Sequence, residues 1–223
     1  MGAAHAADPR KRGASGANVR IPAGRGHVEG VLSLPADASG LVIFAHGSGS
    51  SRLSPRNTFV AGELQRAGMG TLLVDLLLLE EDARPETHFD IPLLGRRLAE
   101  VTSWTRSQRA TQALHLGYFG ASTGAAAALV AASAADSSVR AIVSRGGRPD
   151  LAGPALPGVR APTLFIVGGN DVDVRDLNEE ALHAMHCHRK LIVVPGATHL
   201  FEEPGTLEEV ARLAVEWFER WLK

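Results

Sequence analysis

Leu114-His115-Leu116-Gly117-Tyr118-Phe119-Gly120-Ala121-Ser122-Thr123-Gly124 runs straight into Ala125-Ala126-Ala127-Ala128-Leu129-Val130. The opening six residues form an apolar run of strand length. Thr123 to Ala135 is rich in alanine, the best helix former, and predicts a helix. Gly120-Ala121-Ser122-Thr123-Gly124 leaves room only for a tight strand-to-helix turn. Bulky residues two before or two after the serine would clash in such a turn, and glycine avoids the clash. Ser122 then stands at a helix N-terminus, where free N–H groups and a partial positive charge favour developing negative charge.

The alternation continues on both sides. Val19-Arg20-Ile21 and His27 to Leu34 flank Pro22-Ala23-Gly24-Arg25-Gly26, which predicts an N-terminal β-hairpin. Leu41 to Ala45 is apolar throughout, as a strand buried on both faces must be. Asn57 to Ala67 reads as a helix closed by Gly68, and Gly70 to Asp75 as the next buried strand. Leu76 to Asp90, with acidic Glu80, Glu81 and Asp82 and the breaker Pro85, reads as a loop over the sheet's edge. Ile91 to Gln108 is a helix. Strands at Val139 to Ser144, Thr163 to Val167 and Lys190 to Val194 follow, with helices at Val174 to Met185 and Leu207 to Leu222. This order predicts an α/β fold with a mostly parallel central sheet flanked by helices on both faces. No repeat or interdomain linker interrupts it, and Gly146 to Pro162 is loop. Residues 19–223 are therefore expected to form a single domain without a cap domain, preceded by a disordered tail over residues 1–18.

Composition narrows the class. Hydrophobic residues are 45% and charged residues 21%, ordinary for a soluble globular chain of 223 residues. Lys and Arg total 23 against 24 for Asp and Glu, so there is no basic footprint for nucleic acid. No apolar run reaches the ~20 residues of a membrane span. Asp8, Arg10, Lys11 and Arg12 break up any secretory h-region, so a cytoplasmic protein is expected. A single cysteine, Cys187, rules out an internal disulfide. Its setting, His183-Ala184-Met185-His186-Cys187-His188, suits a polar helix end better than a metal site, because zinc needs three or four converging ligands. No metal and no cofactor are expected.

Three further segments join Ser122. Ala45-His46-Gly47-Ser48-Gly49-Ser50 follows the Leu41 to Ala45 strand. Acyl transfer needs two N–H donors for a tetrahedral oxyanion, and the backbone amides of Thr123 and Ser48 are the candidates. Gly168-Gly169-Asn170-Asp171-Val172-Asp173 follows the Thr163 to Val167 strand. A carboxylate there can orient a histidine presented by the next strand; Asp171 is preferred and Asp173 competes. Pro195-Gly196-Ala197-Thr198-His199-Leu200-Phe201 supplies that histidine, His199. Each group follows a strand's C-terminal end, where open α/β sheets place their ligand sites. Arg145, past the Val139 to Ser144 strand, is a candidate to contact an anionic group of the substrate.

From Val19 to the C-terminus these motifs resemble the α/β-hydrolases. The likeness is closest to the small, lidless dienelactone-hydrolase-like proteins with His-Gly-Ser-Gly, Gly-Ala-Ser-Thr-Gly and Gly-Ala-Thr-His. The order Ser122, Asp171, His199 is that family's order of nucleophile, acid and base. A related domain occurs fused to phosphoribosyltransferase domains, and no such partner is read in these residues. Dienelactone hydrolase proper uses a cysteine nucleophile, whereas the elbow here holds Ser122. The resemblance therefore implies a serine esterase for a small-molecule ester. A thioesterase, lactonase or peptidase on the same triad, or a non-catalytic scaffold of this fold, are the alternatives.

Overall fold

The computed structural model describes residues 16–223. Eight strands form one sheet in the order β1-β2-β4-β3-β5-β6-β7-β8. They are β1 Ala17–Ala23, β2 Gly26–Ser33, β3 Gly40–Ala45, β4 Gly70–Val74, β5 His115–Ala121, β6 Val139–Arg145, β7 Thr163–Gly168 and β8 Arg189–Val194. β1 pairs antiparallel with β2, and β2 antiparallel with β4. From β4 to β8 every pairing is parallel. The helices are α1 Pro55–Arg66, α2 Leu79–Asp82, α3 Ile91–Ser107, α4 Thr123–Ala132, α5 Val172–Ala184 and α6 Thr206–Leu222.

The period of two along β3 builds both sides of the core. Leu41, Ile43 and Ala45 pack on the face covered by α3, α4 and α5, through residues such as Leu98, Leu129 and Ala181. Val42 and Phe44 pack on the opposite face, against Val60 and Leu64 of α1 and Trp217 and Phe218 of α6. A strand buried on both faces has no polar side to show, which is why β3 reads as an unbroken apolar run.

The chain runs from β3 to β4 on one side, then returns to lay β5 on β3's other side, with Ala45 opposite Gly120. This reversal between adjacent strands opens a crevice beyond their C-terminal ends. The segments after β3 and β5 meet there.

Four expectations change. Leu76 to Asp90 is not plain loop and does not lie over an edge. β4 is an interior strand flanked by β2 and β3, because the antiparallel hairpin extends the sheet past it. The segment holds α2 and a 3-10 turn over Pro85–Phe89. Leu76, Leu77 and Leu78 are buried, and the buried Arg97 of α3 grips both Glu81 carboxylate oxygens at 2.9 Å. Gly146 to Pro162 likewise contains 3-10 turns over Pro149–Gly158, kinked at Gly153. The expected tail over residues 1–18 lies outside the described residues through residue 15, and Ala17 and Asn18 already belong to β1. Arg145 is the last residue of β6, not a residue beyond it. Among the described residues no helix is long and apolar enough to cross a membrane.

Candidate active site

The turn between β5 and α4 is as tight as its sequence requires. Ser122 has φ 51 and ψ −121, a region an L-residue enters only under strain of about 1–3 kcal/mol. The neighbouring glycine explains how the chain fits. A Cβ on Gly124 would lie 2.2 Å from the Ala45 carbonyl oxygen and 2.4 Å from that of His46. Hydrogen bonds fix the corner: Ser122 N donates to Arg145 O at 3.3 Å, and Arg148 N donates to Ser122 O at 3.2 Å. Ser122 occupies the N-cap position of α4, yet its side chain makes no capping bond. Its hydroxyl is thus free of the role that would explain it as a helix cap.

The turn after β3 lies against Ser122, because a Cβ on Gly47 would sit 3.0 Å from the Ser122 Cβ. Ser50 N donates to Gly47 O at 3.2 Å, and Gly49 takes φ +67. This is the type II arrangement, with glycine where the backbone goes left-handed. The imidazole of His46 stiffens the corner, with Nδ1 2.9 Å from Gly47 O and Nε2 accepting from Leu76 N at 3.4 Å. Ser48 N donates to the Thr123 hydroxyl at 2.9 Å. Thr123 N is the first amide of α4 and points out of the helix without an intrahelical acceptor.

Asp171 and His199 meet as the sequence order suggests. His199 Nδ1–H donates to Asp171 Oδ2 at 2.7 Å, since an ionised carboxylate only accepts. Asp171 sits at the N-cap of α5 without making a cap bond, so its carboxylate serves the histidine. Asp173 is exposed on the first turn of α5. Gly169 N donates to Val194 O at 2.8 Å and Asn170 N to Ala197 O at 2.9 Å, lacing the Asp171 loop to the His199 loop. Buried Phe201 and the Thr198–Glu203 hydrogen bonds at 3.1 and 2.7 Å hold the His199 loop down. The Thr198 hydroxyl draws the Glu203 carboxyl below its ordinary range. A Cβ on Gly146 would lie 3.5 Å from His199 Nδ1 and Cε1. His199 and Ser122 therefore abut the same Arg145-Gly146 corner from two sides.

Arg145 is buried, with 7% of its surface exposed. Its guanidinium lies 5.9 Å from the Phe201 ring centroid, and Nε has no hydrogen-bond partner among the described residues. Burial, with the charge of Arg56 added, lowers its pKa to about 10, so it remains a cation at neutral pH. The Cys187 group lies elsewhere: His188, just ahead of β8, stacks on Trp217 at 5.6 Å, and burial raises the thiol's pKa.

Two clefts flank the β3–α1 turn. One of about 550 Å³ is lined by His46, Arg52, Asp75 and the Leu77 to Leu79 run. The other, about 470 Å³, is lined by Gly49, Ser54, Arg56 and His88, and both share Ser50, Ser51 and Asp82. Between His88, Ser48, Thr123 and Leu94 lies a cavity of about 10 Å³, the size of one water. Sequence reasoning missed His88 and Asp82 here. His88 is one of nine histidines and sits in no motif.

No family model matches this sequence. Over 213 residues it is 56% identical to proteins from two strains of Mycobacterium tuberculosis that carry the provisional name phosphoribosyl transferase. The match takes in 96% of this chain and 47% of theirs, so the chain spans about half the length of these curated relatives. Among solved structures, dienelactone hydrolase from Anabaena variabilis is 51% identical, with a TM-score of 0.92 over 95% of this chain and 100% of that one. A serine hydrolase without a lid from Xanthomonas campestris is 23% identical, with a TM-score of 0.76 over 93% and 95% of the two chains. An esterase from Pyrococcus furiosus is 16% identical, with a TM-score of 0.75 over 94% and 92%. The last two likenesses speak for the fold.

Proposed function

The chain belongs to the dienelactone-hydrolase-like branch of the α/β-hydrolases, and from that premise we propose a cytoplasmic serine hydrolase that cleaves a carboxylic ester-type bond through an acyl-enzyme. The observation that carries this reading is a strained, half-buried Ser122 whose side chain caps nothing, sharing a corner with a His199 ring oriented by Asp171. Residues 19–223 act in this reading as one catalytic domain. The transferase name of the longer relatives is not carried over, since the match reaches 47% of them.

His199 Nε2 takes the Ser122 proton as the hydroxyl attacks the substrate carbonyl. Asp171 keeps the proton on Nδ1 and stabilises the imidazolium that forms. The oxyanion is bound by the Thr123 and Ser48 amides. In the resting state the Thr123 hydroxyl occupies the Ser48 amide, as an acceptor standing where the oxyanion will accept. The oxyanion carries a full charge and displaces it, because hydrogen bonds to charged acceptors are roughly twice as strong as neutral ones. His199 returns its proton to the leaving group, and water activated by the same ring then hydrolyses the acyl-enzyme. Arg145, a buried cation whose Nε is without a partner among the described residues, is assigned to an anionic group on the substrate.

A fluorophosphonate label mapped by mass spectrometry tests the triad. We expect stoichiometric labelling at Ser122, lost in His199→Ala, and a fall in activity of about 10⁴ to 10⁶-fold in Ser122→Ala. A folded, monodisperse wild type that takes no label would overturn the reading.

A further inference from the structure

We propose that His88 is a positioning residue for the oxyanion turn: it holds the Gly49 amide, and through it the Ser48 peptide, in the orientation that acyl transfer uses. This rests on the hydrolase reading above and deepens it.

The argument begins with the turn itself. In a type II turn only the first carbonyl and the fourth amide bond to each other. The two central amides, Ser48 N and Gly49 N, get nothing from the turn. Each is met by a side chain from another element. Thr123 Oγ1 takes Ser48 N at 2.9 Å, and His88 Nδ1 takes Gly49 N at 3.3 Å. The first of these bonds must open when an oxyanion binds to Ser48 N. The second does not involve the oxyanion and can persist through the reaction. His88 is therefore placed to hold the adjoining Ser48–Gly49 peptide, and with it the turn that presents Ser48 N, after Thr123 lets go.

His88 is itself prepared for that role. Nε2–H donates to Asp82 O at 2.9 Å, which leaves the lone pair on Nδ1 for Gly49. The Asp82 carboxylate lies 3.3 Å from the same Nε2. The Thr87 hydroxyl shares its one proton between Glu81 O and Arg84 O, each 2.6 Å away, and Glu81 is gripped by the buried Arg97. The Leu76–Asp90 segment is thus a braced support; Leu76 N bonds His46 ahead of the turn, and His88 bonds the turn itself at Gly49. With Ser48 and Thr123, His88 also walls the water-sized cavity beside the two proposed donors.

The test compares His88→Asn, which puts an acceptor oxygen near the place of Nδ1, with His88→Leu, which removes it. Each is assayed on p-nitrophenyl acetate, for Ser122 labelling stoichiometry, and for affinity toward a trifluoromethyl ketone that forms a tetrahedral adduct. We expect His88→Leu to lose about fivefold in kcat, the weight of one ordinary hydrogen bond. Its KM should stay near wild type, its affinity for the ketone should fall in parallel with kcat, and its label should stay stoichiometric. His88→Asn should recover most of the loss. If the leucine variant does not fold, His88→Gln, which reaches towards Asp82 and not Gly49, carries the same expectation. Equal losses in the asparagine and leucine variants, a loss confined to KM, or full activity in His88→Leu would each overturn the proposal. A wild type that does not label at Ser122 would instead bring down the hydrolase reading.

Discussion

Replacing Gly124 by alanine puts a methyl group where two main-chain oxygens already stand, 2.2 Å and 2.4 Å from the new Cβ. Neither can rotate away, so either the start of α4 or the corner after β3 must retreat by about 1 Å to reach van der Waals range. Overpacking of this kind costs about 3 kcal/mol when no flexible side chain can absorb it. Alanine returns about 1 kcal/mol through its better helix propensity. The net loss of about 2 kcal/mol lowers Tm by about 4–8 °C in a chain of this length. The activity falls further than the stability, because a displacement of about 1 Å at a reacting group costs about 10²-fold. Gly49→Ala is the control on stability. Its Cβ meets nothing within 4 Å, so only the left-handed φ of +67 opposes it, at about 1 kcal/mol. Scanning calorimetry and the rate of fluorophosphonate labelling read both effects. A Gly124→Ala protein with wild-type Tm and labelling rate, or one more stable than Gly49→Ala, would refute the reasoning.

Asp171→Asn should leave the fold intact and lower kcat by about 10⁴-fold, the size of the same change in a serine protease triad. Asp173→Asn, on the exposed first turn of α5, should stay within about twofold of wild type, as surface changes usually do. Steady-state kinetics on both decides the acid, and a larger loss at Asp173 would reverse the assignment. Arg145→Ala should lose more kcat/KM on a carboxylate-bearing ester than on its neutral counterpart; equal losses would reject the anion-binding role.

Most of the strand and helix order was legible because burial on two faces leaves its mark residue by residue. β3, with all six positions buried, could be read only as an interior strand. The elbow was legible for a related reason: Gly120 and Gly124 bracket the serine at the positions where backbone crowds it. What escaped was set by contacts distant in the chain. Nothing near Glu81 announces Arg97, sixteen residues on, so the α2 segment read as loop. The sequence puts Asp171 nearer the strand but cannot show that Asp173 lies within the first turn of α5 while Asp171 reaches His199, because that depends on where each carboxylate points. Ser54, whose side chain caps α1 by accepting from Asn57 N, with Pro55 behind it, was a local signal passed over by two residues. The burial of Arg145 was hidden because β6 runs one residue longer than its apolar run.

The division of the site along the chain has a consequence for protein engineering. Ser122 and both proposed oxyanion donors follow β3 and β5, while Asp171 and His199 follow β7 and β8. Between these halves the chain passes through the Pro149–Gly158 turns, and at Gly153 a Cβ would meet nothing within 4 Å. A break there separates two fragments, neither holding all three of Ser122, Asp171 and His199. On the proposed function, hydrolysis would return only when β6 and β7 pair again, which would make the molecule a complementation reporter gated by the seam of its own sheet.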